Sequence, residues 1–331
     1  MENFWLNRTV FITGAGGFIG SHVVERLVKK EARVRSFVRY NSRNDPGLLK
    51  LLGSDTLSKT KIIRGDLRDL PALLKSIKGA DYVIHLGALI SIPYSYIHPR
   101  DVVENNVIGT LNILQACRQN EVKRLVHTSS SEVYGTALKV PIDETHPLQG
   151  QSPYSASKIG ADKLVESFHL SYGLPAVTMR PFNTFGPRQS TRAVIPAIIT
   201  QALTQSTIRL GNLNAWRDFT YVTDTVGAIL KSIERPGLEG KTVNLGTGNE
   251  IRIGELAKDI IEMIGRKVEI VVDTNRLRPD KSEVQRLISD NSLAAECLDW
   301  KPRTDLNSGL RQTIDWYKEN IDLYQTKRYI V

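Results

Sequence analysis

A short apolar run, Thr9–Thr13, passes directly into Gly14-Ala15-Gly16-Gly17-Phe18-Ile19-Gly20 and then into a stretch whose spacing predicts a helix over Gly17–Lys30. Gly14, Gly17 and Gly20 fall at a GxxGxxG spacing. Glycine allows positive φ at a strand–helix turn and lets backbone N–H groups approach a ligand closely. The helix N-terminus adds its positive end, so the turn suits a pyrophosphate. Gly14, Gly16, Gly17, Phe18, Ile19 and Gly20 are therefore candidate dinucleotide contacts. Strand patterns follow at Arg33–Val38, Lys61–Arg64, Tyr82–Leu86 and Leu125–Thr128, with helical patterns at Leu70–Ile77 and Val102–Gln119. Such alternation predicts an α/β protein with right-handed crossovers and a ligand at the carboxyl ends of the strands.

The expected fold is a Rossmann doubly wound parallel sheet with helices on both faces. Past residue 180 the pattern loosens around Pro181, Gly186, Pro187 and Pro196. Helices are predicted at Ala193–Leu203, Thr223–Glu234 and Ile253–Ile264, and strands at Thr242–Leu245 and Val268–Val272. The expected division is a Rossmann domain over 1–180 and a smaller C-terminal α/β substrate lobe over 181–331, with some chain crossing back to the sheet. A length of 331 residues suits two such units.

Composition excludes several other classes. Hydrophobic residues at 41% and charged residues at 24% are ordinary globular values. No apolar run approaches the ~20 residues of a spanning helix, and the N-terminus lacks a basic-then-apolar leader. Two cysteines suit a reducing, cytoplasmic setting. The net charge of +9 could draw nucleic acid, membrane or small anions. The basic residues are scattered, which favours a phosphorylated small molecule over nucleic acid or membrane. Without HExxH or CxxC no metal site is expected.

The end of the second strand bears on the cofactor. NAD-selective sites place a carboxylate there for the ribose 2′-OH, but Arg35–Arg43 contains none. Arg39, Ser42 and Arg43 would instead hold a 2′-phosphate, which favours NADP over NAD. Asp66 and Leu67 follow the third strand, where they could meet the adenine, and small residues around Leu86 and Ala88 leave room for the cofactor.

The reaction chemistry points to Tyr154-Ser155-Ala156-Ser157-Lys158. Residues four apart share a helix face. An ammonium beside a phenol is expected to lower the Tyr154 pKa, so that it can take a proton from a sugar hydroxyl as hydride leaves. Upstream lies His127-Thr128-Ser129-Ser130-Ser131-Glu132-Val133-Tyr134-Gly135, where Ser130 can bond the same hydroxyl and Glu132 sits at the sheet's carboxyl edge.

With these motifs the chain resembles the extended short-chain dehydrogenase/reductase family, in its nucleotide-sugar-modifying branch. The resemblance continues through Asn106-Val107-Ile108-Gly109-Thr110, Arg180–Pro187, Arg217–Val222 and Arg278-Pro279-Asp280. It implies that Asn106 also contacts a tightly bound cofactor. Glu132 is similar to the C5 base of 4,6-dehydratases, where simple 4-epimerases carry a small residue. Decarboxylases share the pattern, and the run Asp143–Lys158 resembles dehydratases of amino-sugar pathways leading to legionaminic acid. The implied activity is a nucleotide-diphosphate-sugar 4,6-dehydratase; a 4-epimerase and a UDP-glucuronate-type decarboxylase are the alternatives, and a non-catalytic dinucleotide sensor is a further reading. In the implied mechanism Tyr154, beside Lys158, takes the O4 proton while the nicotinamide accepts the C4 hydride; Glu132 removes the C5 proton, Glu132 or Ser131 protonates the leaving O6, and the hydride returns to C6. The resemblance places Ser91 and Pro93 over the sugar, Val194 beside the base, Arg217 and Arg278 on the diphosphate, and Asn183 on the diphosphate or the sugar. The substrate is expected to be UDP- or GDP-linked, including N-acetylamino sugars. A homodimer is expected through Val102–Gln119 and Ser155–Tyr172, using Ile108, Leu111, Leu114, Leu164 and Phe168.

Overall fold

The computed structural model describes residues 3–324. Seven strands form the main sheet: β1 (Thr9–Thr13), β2 (Arg33–Arg39), β3 (Thr60–Gly65), β4 (Tyr82–His85), β5 (Arg124–Thr128), β6 (Ala176–Pro181) and β7 (Thr242–Leu245). Their order is β7-β6-β5-β4-β1-β2-β3, every pair parallel. The order reverses between β1 and β4, so their carboxyl ends open the crevice in which a doubly wound sheet binds its ligand. Helices α1 (Phe18–Lys29), α2 (Leu70–Ile77), α3 (Gly109–Gln119) and α4 (Pro153–Tyr172) flank the sheet.

Burial follows the two-residue period of a strand. Val10 and Ile12 of β1 pack in one core with Val23 and Leu27 of α1. Phe11 points the other way, into a second core with Leu73, Ile113, Leu114 and Phe168 from α2, α3 and α4. Both faces are covered, which is why β1 and β4 read as continuous apolar runs.

Three elements depart from the sequence expectations. Val102–Gln119 is not one regular helix: a turn of α-helix at Pro99–Val103 passes into a π-helical segment, Glu104–Ile108, before α3. β6 has no counterpart in the predicted strands. Its run AVTMRP carries Arg180 into the interior, and a charge there masks a strand pattern. The stretch predicted at Val268–Val272 pairs only from Glu269, with Thr207–Leu210.

Beyond the sheet lie α5 (Val194–Thr204) and short strand pairs. Trp216–Arg217 lies between Ile251–Arg252 and Arg286–Leu287. The chain returns through α6 (Val222–Glu234), which packs on α1 and β5, and through β7. One core runs through both parts, joining Leu27 to Ile198 and Ile229. Asp218, fully buried, accepts from the amides of Thr247, Gly248 and Ser289 at 2.9–3.2 Å and so fixes the neighbouring Arg217. Among the described residues no helix is long and apolar enough to cross a membrane.

Candidate active site

A cavity of about 890 Å³ opens along the carboxyl ends of the sheet strands and runs to the distal lobe. At one end stands the glycine turn. Gly14 has φ +66°, and a Cβ there would lie 2.8 Å from the Leu86 carbonyl carbon; a Cβ on Gly20 would lie 2.1 Å from the Gly14 oxygen. No side chain caps α1 and no acid occupies its first turn. A backbone cradle at a helix N-terminus fits the pyrophosphate of a dinucleotide.

The start of α4 is set by a capping box. Ser152 accepts from the Ser155 amide at 3.1 Å, and Ser155 Oγ accepts from the Ser152 amide at 2.9 Å, with Pro153 in the first turn. This fixes Tyr154, and Lys158 follows one turn later on the same face. Lys158 Nζ donates to the Thr128 carbonyl at 2.7 Å. Ser130 caps the turn Ser131–Tyr134 by accepting from the Glu132 amide at 3.2 Å, and its hydroxyl stands close enough to the Tyr154 phenol to lower its pKa. Glu132 Oε2 lies 3.5 Å from Arg278 Nη1. Arg217, buried, donates Nη2 to the Val284 carbonyl at 2.7 Å and lies 3.6 Å from Glu283.

The electrostatics correct one expectation. Burial pushes the Tyr154 phenol up to about 12; the Ser130 hydroxyl opposes this and the nearby Glu132 charge adds to it. The predicted depression by Lys158 is absent because desolvation dominates. Lys158 moves down to about 8 for the same reason, with Asp162 opposing.

The cavity wall brings together Gly14, Gly17, Phe18, Ile19 and Gly20 with Leu86, Ala88, Ser91 and Pro93. It also gathers Ser130, Glu132, Tyr154, Lys158, Asn183, Val194, Arg217 and Arg278. Eight other candidates lie off this wall. Gly16 packs where a Cβ would meet the Pro46 oxygen at 2.6 Å. Arg39, the last residue of β2, and Ser42 and Arg43 beyond it are exposed. Asp66 is held by a two-nitrogen fork from Arg68, at 3.0 and 2.7 Å. Leu67 packs over Gly87 and Gly109.

Asn106 and Ser131 need correction. Asn106 is 1% exposed; it accepts from the Leu89 amide and donates to the Leu89 carbonyl and Ser157 Oγ, each within 2.9 Å. Its amide is spent on pinning the Leu86–Ser91 loop to α4, and the π-helical segment turns it inward for that. Ser131 is 3% exposed and does not line the cavity as Ser130 and Glu132 do, which favours Glu132 over it as the proton donor to O6.

Sequence reasoning missed Leu48, Thr128, Arg188, Arg192, Arg276, Glu283 and Tyr324 on the wall. Arg188 and Arg192 directly follow the Arg180–Pro187 motif, which was the available signal. Thr128 lies within the quoted His127–Gly135 motif and Arg276 two residues before Arg278, whereas Leu48, Glu283 and Tyr324 come from segments without a motif.

The seven-stranded parallel sheet agrees with the comparisons. Residues 11–313 match the family model described as GDP-mannose 4,6 dehydratase. The chain belongs to that family, within the nucleotide-sugar dehydratase and epimerase branch of the extended short-chain dehydrogenases. It is 32% identical over 317 residues to a putative UDP-glucose 4-epimerase of Methanocaldococcus jannaschii, covering 94% of this chain and 99% of that one. It is 30% identical over 325 residues to human dTDP-D-glucose 4,6-dehydratase, covering 95% and 91%. The dTDP-glucose 4,6-dehydratase of Streptomyces venezuelae, solved with NAD bound, superposes with a TM-score of 0.87 at 28% identity, covering 96% and 99%.

Proposed function

We propose that this chain is a nucleotide-diphosphate-sugar 4,6-dehydratase that keeps a nicotinamide dinucleotide bound. The observation that carries the reading is Glu132: a carboxylate on the same cavity wall as Tyr154, giving two distinct proton acceptors. When bound on the glycine cradle, the nicotinamide would accept a hydride from C4 and return it at C6. Tyr154 takes the O4 proton, and Ser130 orients that hydroxyl. The high Tyr154 pKa makes the phenol a strong proton acceptor once it is ionised, and Lys158 supplies the local positive charge. Glu132 removes the C5 proton that the new ketone acidifies. With Ser131 off the cavity wall, Glu132 also hands that proton to the departing O6, and it returns a proton drawn from solvent to C5 when the hydride reaches C6.

Residues 1–180 hold the cofactor in this reading, and 181–331 hold the nucleotide. Arg278 meets Glu132 through Nη1 and offers its guanidinium to the diphosphate, with Asn183 nearby and Val194 against the base. Arg217, tied to carbonyls and Glu283, shapes this wall. The nucleotide is UDP, GDP or, from the relatives' substrates, dTDP, and N-acetylamino sugars are included. A panel of such sugars, read by mass spectrometry, tests the reading: loss of one water supports it. A 4-epimerase is the second reading. The Glu132–Arg278 pair favours it, since it suits a binding role for Glu132, and epimerisation would leave substrate mass unchanged.

NADP is supported by exposed Arg39, Ser42 and Arg43. Opposing it, Asp66 and Asp45 stand close enough to Arg39 and Arg43 to feel their charge. Denaturing the protein and identifying the released dinucleotide decides between NADP and NAD. A cytoplasmic homodimer completes the proposal. Leu114 and Phe168 are spent in the chain's own core and Leu111 and Leu164 pack partly against it, leaving Ile108 exposed for a partner. Light scattering at micromolar concentration checks it, and a monomer would count against it.

A further inference from the structure

Behind the Tyr154–Lys158 face lies a buried charge network that the reaction steps do not use. Asp162 follows Lys158 by one turn of α4, so Tyr154, Lys158 and Asp162 form one stripe. Asp162 is 5% exposed and grips both neighbours of Thr128, the residue whose carbonyl receives Lys158. Ser129 Oγ donates to its Oδ2 at 2.8 Å, and His127 Nε2 lies 3.2 Å from its Oδ1. From β6, Arg180 donates Nε and Nη2 to the same Oδ2, at 3.1 and 2.9 Å. Arg180 Nη1 donates to the Tyr134 hydroxyl at 3.0 Å, and that hydroxyl donates to Asn244 Oδ1 on β7 at 2.7 Å. Tyr134 ends the turn that carries Glu132. One carboxylate thus ties the strand under Lys158 to the turn bearing the second proton acceptor.

We propose that Asp162 is a positioning residue for the proposed proton chemistry: it fixes the Thr128 carbonyl for Lys158 and supplies the negative charge that keeps Lys158 an ammonium in a dry site. The inference rests on the reading of Tyr154 and Lys158 as an acid–base pair. The groups facing Lys158 single Asp162 out. On α4 these are Tyr154 and Asp162, on β5 His127 and on β4 His85; Arg180 of β6 faces Asp162. Burial pushes both imidazoles down, so they stay neutral, and pushes the phenol up, so the phenolate that takes the O4 proton needs the Lys158 ammonium beside it. Asp162 itself stays ionised through His127, Arg180 and Lys158. A structural salt bridge alone would glue α4 to β6 without touching the ionisation of Lys158.

The test compares the dinucleotide-loaded wild-type enzyme with Asp162→Asn and Asp162→Glu. Lys158 is titrated by NMR in protein carrying ¹³Cε-labelled lysine, with Lys158→Met to assign the signal, beside the pH profile of kcat/KM. In Asp162→Asn the Lys158 titration and the alkaline limb should both move down by about one unit or more. Asp162→Glu should restore most of the shift. Asp162→Asn strands the Arg180 guanidinium in the interior. If that variant does not fold, Asp162→Asn/Arg180→Met removes both charges and should show the same shift. A folded variant whose Lys158 titrates at the wild-type pH overturns the proposal. Absence of any turnover would count against the dehydratase reading instead, because the NMR titration needs no substrate.

Discussion

The two walls of the cavity are built differently. On the sheet wall, Ser130, Tyr154 and Lys158 come from two adjacent elements and are fixed by backbone: a capping box, a turn cap and the Thr128 carbonyl. On the distal wall, Arg217 and Arg278 sit on a two-residue strand and a loop, and their partners are carboxylates and carbonyls far away in sequence. A wall fixed by backbone holds a reacting geometry within tight limits, whereas a wall of paired side chains can exchange its internal partners for those of a ligand. The difference places proton transfer on the first wall and recognition on the second.

The largest effect expected is on the sheet wall. Tyr154→Phe should cut turnover by about 10²–10⁴-fold, as for a lost general base, and leave nucleotide-sugar affinity nearly intact. A comparable rise in KM would merge the two walls into one function. The distal wall should respond in the opposite way. Arg278→Gln removes a charged donor worth about 1.5–3 kcal/mol, so KM should rise roughly 10- to 100-fold. Steady-state kinetics on the two variants checks the split.

At the cradle, Gly20→Ala drives a Cβ into the Gly14 carbonyl. It should cost about 1–3 kcal/mol in stability and release the dinucleotide during purification. Thermal melts and the absorbance of released cofactor check both outcomes.

The smallest expected effect is linkage at Lys158. Its pKa in the folded chain, about 8, lies below the roughly 10.4 of an unfolded lysine. Between those values the unfolded chain binds the extra proton. This group therefore adds stability as pH rises through that window, by at most about 1.4 kcal/mol per unit, and its cost is fully present below it. Wild type should gain on Lys158→Met in urea midpoint from pH 8 to 10; parallel curves would contradict the burial of this ammonium.

The sheet wall was legible in the sequence because its signals are local: a glycine turn, a Tyr and a Lys four apart, and a Ser/Glu turn after a strand. β6 was not, because Arg180 interrupts its apolar run, and Asp162, brought in by α4, together with Tyr134 makes that charge tolerable. Asn106 was visible as a residue but not in its role, since a π-helical segment decides which way it faces. The end of β2 shows the same dependence on tertiary pairing. No carboxylate neighbours Arg39 in sequence, yet β3 pairs Arg39 with Gly65 and so brings Asp66 beside it. Glu283 and Arg276 join the distal wall from loops with no pattern of their own.

The central claim is that this cavity breaks a C5–H bond as well as oxidising C4. Turnover of an accepted nucleotide sugar in deuterated water measures that directly, with Glu132→Gln beside the wild type. The wild type should place solvent deuterium at C5 of a product lighter by one water. Glu132→Gln should still oxidise C4, seen as reduced-nicotinamide absorbance, with elimination slowed by about 10²–10⁴-fold. Product of unchanged mass with no deuterium at C5, or a Glu132→Gln variant turning over at the wild-type rate, would contradict the dehydratase account and leave epimerisation in its place.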